Sequence, residues 1–341
     1  MLYIFFLACI LAALTLSFLI APKIGLVDIP DARKKHMGDT PLIGGISLWT
    51  GLTLIYLFIP SITPHYNILW TCSSLLFFMG LIDDIINLPV LPRIIIQLII
   101  SYILIGINFT IYYIGTPFYS PLFIQGGMSY FFTFVITMSI INSFNMLDGM
   151  NGLLGFNSIV SLVSFGMIFY VKSFYSYAYL CILISFTIIP YLFLNLTSGK
   201  WMRFRIFMGD SGSTVIGFII TWMLINYTQS TEPKQNPMHC IWFISIPIID
   251  MIAVSIRRVC ISGNPFKADR GHIHHLLLNL GFTSSQTLII LTTISILCSL
   301  LGILFIVFNI PETTTFILFL STILLWTCIS YKIYNKTSVF S

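Results

Sequence analysis

The sequence predicts an all-α integral membrane protein, and three observations predict it. Of 341 residues, 57% are hydrophobic and only 8% charged, against roughly 25% charged in a soluble domain. Mean hydropathy is +0.97. The apolar residues gather in runs of about 20, the length a helix needs to cross a bilayer. A soluble fold is excluded, because no interior of this size could hide so much apolar surface.

Eleven spans follow in order: about 2–21, 42–60, 68–86, 94–113, 128–146, 153–171, 176–196, 212–228, 239–257, 286–308 and 314–332. The first lacks a basic flank and a small-residue cleavage site, so it reads as a retained helix rather than a signal peptide. The third runs into Asp83 and Asp84, and the ninth contains Asp250. No repeat or low-complexity tract divides the chain, so residues 1–341 read as a single polytopic membrane domain. Its active-site loops fall near 23–42, 83–93, 145–153, 198–213 and 257–285. The seven cysteines lie mostly inside apolar runs with no Cys-x-x-Cys pair. They read as small membrane-core residues, neither disulfides nor zinc ligands.

Charge orients the spans. With the N-terminus outside and the C-terminus cytoplasmic, 14 of the 16 Lys and Arg face the cytoplasm, leaving Lys172 and Lys234 opposite. That asymmetry follows the positive-inside rule. It accounts for the net charge of +5 without a nucleic-acid partner, for which no motif is present. Nine of the 11 acidic residues, all but Glu232 and Glu312, also fall on or near the cytoplasmic face. Carboxylates bring no comparable topological benefit and are costly near lipid. Their gathering predicts a polar site at that face.

Five stretches could carry chemistry there. Asp83 and Asp84, adjacent in "LIDDIINLPVLPR", repel each other unless a cation or proton relieves them. A hard divalent ion sharing oxygen ligands with substrate phosphates would do so; a helix end facing water is the plainer alternative. Arg93, after a Pro-containing turn, could return to the same face as a phosphate clamp. In "NSFNMLDGMNGL", Asn142, Asn145 and Asp148 are spaced to share roughly one face of a helix end, although turn chemistry also uses such residues. Asp210, in "RFRIFMGDSGSTVIG", stands at a helix start, as an N-cap or beside an anion. The stretch "RRVCISGNPFKADRGHIHHLLLNLGF" offers His272, His274 and His275 beside Lys267 and Arg270. Its H-x-H-H spacing lacks a zinc pattern and better suits a diphosphate or sugar, with a solvated loop as the bland reading. The basic cluster "RKKHMGDTPLIGG", including Lys35, could equally touch anionic lipid heads.

Together "DDIINL", "NSFNMLDGMNGL", "FMGDSGS" and "ADRGHIHHLLLNLGF" resemble the polyprenyl-phosphate N-acetylhexosamine-1-phosphate transferases. "RKKHMGDTPLIGGIS" and the HIHH loop look most like the WecA branch. The MraY branch, which takes UDP-muramoyl-pentapeptide, typically carries HHHFE in that loop. The match runs in order from Val27 to about Phe282.

The resemblance implies transfer of N-acetylglucosamine-1-phosphate from UDP-GlcNAc to undecaprenyl phosphate, with release of UMP. The product would start a lipid-linked surface glycan, and another UDP-N-acetylamino sugar such as FucNAc or QuiNAc is the alternative donor. It implies Mg²⁺ as cofactor, with Mn²⁺ as a substitute, and a bacterial inner membrane with the site facing the cytoplasm. Membrane lipid is then a partner, and a homodimer is a compatible assembly. Asp83, Asp84 and Asp148 would be the catalytic carboxylates, and Asp210 and Asn145 the metal ligands. Arg93, Asn151, His272, His274, His275, Arg270 and Lys35 would bind donor and phosphates. Many relatives carry Asp where this chain has Asn87, and WecA-type enzymes commonly carry Asp at Asn151; an Asn there can still hydrogen-bond uracil. Two rivals stand beside this reading. A secondary transporter would place its acids near the midplane on broken helices. An inactive lipid-binding scaffold would tolerate Ala at Asp83, Asp84 and Asp210.

Overall fold

Lipid offers no water to unpaired backbone groups, so apolar runs of this length close their hydrogen bonds internally as helices. The computed structural model describes residues 2–29, 38–229, 235–263 and 271–338. Among the described residues there are thirteen α-helices. They are α1 (Leu2–Ile20), α2 (Gly44–Phe58), α3 (Tyr66–Ile86), α4 (Val90–Gly106), α5 (Gly127–Leu147), α6 (Leu153–Val171), α7 (Tyr175–Asn195), α8 (Asp210–Gln229), α9 (Pro237–Cys240), α10 (Ser245–Ser262), α11 (Ile273–Asn279), α12 (Ser284–Val307) and α13 (Glu312–Ser338). A 3₁₀ turn, Ile241–Ile244, runs α9 into α10. Further 3₁₀ turns lie at Ala21–Lys23 and Gly199–Phe204, and two short antiparallel pairs join β1 (Val27–Asp28) with β2 (Thr40–Pro41) and β3 (Tyr113–Gly115) with β4 (Leu122–Phe123). The chain is a multi-pass, all-α membrane protein.

Each of the eleven apolar runs finds a helical segment. Among the described residues, eight segments are long and apolar enough to cross a bilayer, α9 and α10 counting as one from Pro237 to Ile261. The other three depart for physical reasons. Helices α2 and α4 are apolar but shorter, at 15 and 17 residues. Helix α8 is rich in Ser, Thr, Gly and Asn, and every residue from Ser211 to Gln229 is buried. It is enclosed by protein rather than lipid, so its polar groups bond to its own carbonyls, as Thr214, Thr221 and Asn226 do.

Helices α3 and α5 pack on α8 at backbone distance. A methyl group on Gly80 of α3 would lie 2.4 Å from the Ser211 Cα, and one on Gly217 of α8 would lie 2.6 Å from the Ile141 Cα of α5. Small residues allow this approach where apolar burial alone gives no drive between helices. A Thr283–Gln286 capping box starts α12, satisfying two of its orphan N–H groups.

The bundle has two polar ends. At one, Gln229 at the end of α8 bonds both backbone N–H groups of Tyr112 and Tyr113. Beside it the buried Glu312 accepts from the N–H groups of Thr116 and Met238. The other end gathers the C-termini of α3, α5, α7 and α10 with the N-termini of α2, α4, α6 and α8. The sequence motifs meet there.

Candidate active site

Asp83 and Asp84 are neighbours in sequence but about 100° apart around the helix, and they meet Asp210 differently, Asp83 at its carboxyl and Asp84 at its backbone N–H. Asp83 is only 2% exposed and turns toward α4. Arg93 Nε sits 2.6 Å from its Oδ2, while Arg93 Nη2 and the Leu88 N–H each donate to Oδ1 at 2.8 Å. Asp84 turns toward α8. It accepts from the backbone N–H groups of Asp210 at 2.8 Å and Ser211 at 3.1 Å, which are among the donors a helix start leaves unsatisfied. A carboxylate from another helix therefore caps α8. Gly209 makes room for it: its φ is +76° and a Cβ there would lie 2.5 Å from Asp84 Oδ2.

Asp210 stands at the centre. Its Oδ1 accepts from Asn145 Nδ2 at 2.6 Å, its Oδ2 lies 3.6 Å from Arg93 Nη1, and Asn145 also donates to Ser213 at 3.0 Å. Arg93 thus bridges α3, α4 and α8. The segment leading into Asp210 is held by β2 and its continuation. Phe207 donates its N–H to the Pro41 carbonyl at 2.9 Å, Gly44 to Phe207 at 2.8 Å and Gly45 to Met208 at 3.1 Å. Asn195 of α7 ties the same segment to the start of α6, donating to the Ile206 carbonyl at 2.8 Å and accepting from the Gly152 N–H at 2.6 Å. Asn142 points elsewhere, to Gln97 of α4 at 3.1 Å. Arg203 lies over the Phe204 ring, and Arg205 donates to the Thr197 carbonyl.

Asp148 ends α5 beside this centre. Burial, and then the charges of Asp210 and Asp84, push its carboxyl up to about 8. The next residue, Gly149, touches the His loop: a Cβ there would meet His274 Nε2 at 2.3 Å. Asn151 lies in the turn before α6, half-buried. His274 is buried, and desolvation, with His275 and His272 alongside, holds its imidazole well below the ordinary range. His272 and His274 stack with ring centroids 6.0 Å apart, and His275 lies 4.3 Å from His274. His272 gives Nδ1 to Asp250 Oδ2 at 2.9 Å, and Asp250 Oδ1 accepts from the Ile273 N–H at 2.8 Å. Lys35 and Arg270 lie outside the described residues.

The structure therefore brings Asp83, Asp84, Arg93, Asn145, Asp148 and Asp210 into one cluster and sets His274 against its edge through Gly149. Among the described residues, no group of three His, Cys, Asp or Glu forms a ready-made metal cage. The donor set nevertheless fits Mg²⁺, which takes one or two carboxylates and completes its shell with water and substrate phosphate oxygens. The charges of Asp210 and Asp84 add to the cost of ionising Asp148, and a hard cation would relieve that. Asn145 presents its amide nitrogen to Asp210; an amide oxygen there would repel the carboxylate unless a cation lay between them.

Sequence reasoning missed one residue that shapes the site and saw a second without its partner. Asn195 carries no motif signal, being one polar residue at the end of an apolar run. Asp250 gave a signal, as an acid inside a span, but its partner 22 residues on was not legible.

The glycosyl transferase family 4 model matches residues 66–228, the stretch from α3 to α8 that carries the cluster. Three similar proteins bear the name undecaprenyl-phosphate alpha-N-acetylglucosaminyl 1-phosphate transferase. The one from Yersinia pestis is 37% identical, covering 96% of this chain and 89% of its own. That from Pasteurella multocida is 38% identical over 94% and 90%, and that from Escherichia coli K12 is 36% identical over 90% and 84%.

Proposed function

The chain belongs to glycosyl transferase family 4, and from that premise we propose the following reading of its site. The protein is a phosphoglycosyl transferase: it moves N-acetylglucosamine-1-phosphate from UDP-GlcNAc to undecaprenyl phosphate and releases UMP. The observation that carries the reading is the Arg93 guanidinium held between Asp83 and Asp210 where α3, α4 and α8 meet. A planar cation in that position can give up a carboxylate contact for a phosphate one.

The bond that forms joins a lipid phosphate oxygen to the sugar-bearing phosphorus; the bond that breaks joins that phosphorus to the oxygen retained by UMP. The acceptor's second pKa is about 6, as for any phosphomonoester, so it is largely dianionic at neutral pH. Proton removal then has limited value, and positioning dominates, as in phosphoryl transfer generally. Asp83, paired with Arg93, sets the place of the acceptor phosphate. Asp84 fixes the first turn of α8 and with it Asp210. Asp210, with Asn145 beside it, would hold Mg²⁺, and Asp148 stands next to them as the third catalytic carboxyl. When bound, that ion offsets charge on the diphosphate as UMP departs. Two phosphates meeting at one place favour direct displacement over an aspartyl-phosphate. The Asp148–Leu153 segment with Asn151 lies near uracil, and His272, His274, His275, Arg270 and Lys35 serve the donor's sugar and diphosphate.

In this reading all eleven segments cross or enter the bacterial inner membrane, with the N-terminus outside and the site on the cytoplasmic side. The 14-to-2 distribution of basic residues supports that orientation. Purified protein incubated with undecaprenyl phosphate, Mg²⁺ and a panel of UDP-sugars tests the reading by UMP release. UDP-GlcNAc should be turned over fastest. Preference for UDP-FucNAc or UDP-QuiNAc would reassign the donor, and no release with any sugar would overturn the reading.

A further inference from the structure

We propose that Asp250 is a positioning residue: it fixes the ring of His272 and anchors the first turn of α11, so that the His loop is held in donor-binding form. This rests on the transferase reading above. Asp250 sits in α10 between Ile249 and Met251 and is 3% exposed. Burying a carboxylate there is costly unless its oxygens are used, and both are. Oδ2 accepts a hydrogen bond from His272 Nδ1–H at 2.9 Å, and Oδ1 accepts one from the Ile273 N–H at 2.8 Å. One side chain therefore grips two consecutive residues, one through its ring and one through its backbone.

The consequence lies in the imidazole. In a neutral imidazole only one nitrogen carries a proton. With Nδ1–H committed to Asp250, Nε2 keeps its lone pair, and Arg258 Nη2 stands 3.5 Å away. An orienting carboxylate behind a histidine commonly fixes tautomer and ring direction in this way. The effect extends along α11: the His272 ring stacks parallel to His274 at 13°, and His274 lies against Gly149. Without the anchor, the next contact to loosen is the one between the His loop and the segment after Asp148. Asp83 and Arg93, which serve the acceptor in the proposed reading, bond to neither residue of the pair.

The test is a double-mutant cycle in the full-length protein, with KM measured separately for UDP-GlcNAc and undecaprenyl phosphate. Asp250→Asn keeps an oxygen for the Ile273 N–H but turns a donor toward the Nδ1 proton. It should raise the donor KM about tenfold, with the acceptor KM within twofold, and His272→Gln should do the same. The double variant should be no worse than the worse single, since both remove one interaction. If Asp250→Asn fails to fold in detergent, Asp250→Glu, which keeps the carboxylate but displaces it by one methylene, takes its place and should raise the donor KM with the acceptor KM within twofold; an unchanged donor KM in that variant overturns the proposal. Multiplied effects in the double variant, an unchanged donor KM in His272→Gln, or equal rises in both KM values would overturn the proposal. Failure of the transferase reading would show separately, as a wild type that releases no UMP.

Discussion

Asp84 touches the backbone of α8 rather than a basic side chain, so its removal should act through Asp210. The Asp84→Asn variant keeps one acceptor oxygen and sets an amide NH₂ against the second backbone N–H. Two hydrogen bonds from helix-start N–H groups, at 2.8 and 3.1 Å, end on this carboxylate. Hydrogen bonds to a charged group contribute about 1.5–3 kcal/mol each, and losing a helix cap costs a comparable amount. Loss of one such bond should therefore cost about 1.5–3 kcal/mol in holding the first turn of α8. At 1.4 kcal/mol per tenfold, the ordered arrangement of Asp210 becomes roughly ten- to a hundredfold less favoured. Mg²⁺ titration of UMP release should show this as a higher half-saturating concentration, with the maximal rate partly recovered at high Mg²⁺. Asp83→Asn breaks the pair with Arg93 instead and should raise the acceptor KM with little change in Mg²⁺ dependence. An Asp84→Asn protein with wild-type Mg²⁺ dependence and wild-type unfolding in detergent would refute the capping argument.

Three further outcomes follow from the geometry. Gly80→Ala would place a Cβ 2.4 Å from the Ser211 Cα, so α3 and α8 must separate; overpacking of this kind costs about 1–3 kcal/mol, and the unfolding midpoint should drop together with activity. His274 is held neutral, with its imidazole well below the ordinary range, whereas the unfolded ring titrates near about 6.5. Its contribution to stability is complete above that value and is lost as pH falls below it, because only the unfolded chain takes the proton; detergent unfolding should show this slope, and His274→Gln should flatten it. Single cysteines at Lys234 and Arg270, in a background freed of native cysteines, should be labelled from outside and only after permeabilisation, respectively; the reverse pattern would invert the proposed topology.

Much of this was legible in the sequence because membrane helices announce themselves locally. Every apolar run became a helical segment, since the bilayer decides secondary structure from composition alone. The acids likewise marked one face, and Asp83, Asp84, Arg93, Asn145, Asp148 and Asp210 do converge. What a one-dimensional pattern lacks is the partner across the bundle. Asp83 and Asp84 read as one pair, yet one helical step sends the first to Arg93 and the second to α8. Arg203 and Arg205 read as charge markers, but they also pack on Phe204 and bond the Thr197 carbonyl. The HIHH stretch read as loop, although residues from Ile273 form a helix; that turn depends on Asp250, which is remote in sequence. The span at 239–257 read as one apolar run marked only by Asp250, whereas it passes through a 3₁₀ turn before α10.

The most direct test of the central claim follows the phosphorus itself. UDP-GlcNAc labelled in its β-phosphate is incubated with wild-type protein, undecaprenyl phosphate and Mg²⁺, and label is sought in lipid, nucleotide and protein. The account predicts that label moves into the lipid in one-to-one proportion to unlabelled UMP, that neither appears without lipid phosphate, and that Asp210→Asn loses most of both. Label trapped on the protein with UMP released in the absence of lipid would contradict direct displacement, and label leaving with the nucleotide as UDP would contradict sugar-1-phosphate transfer altogether.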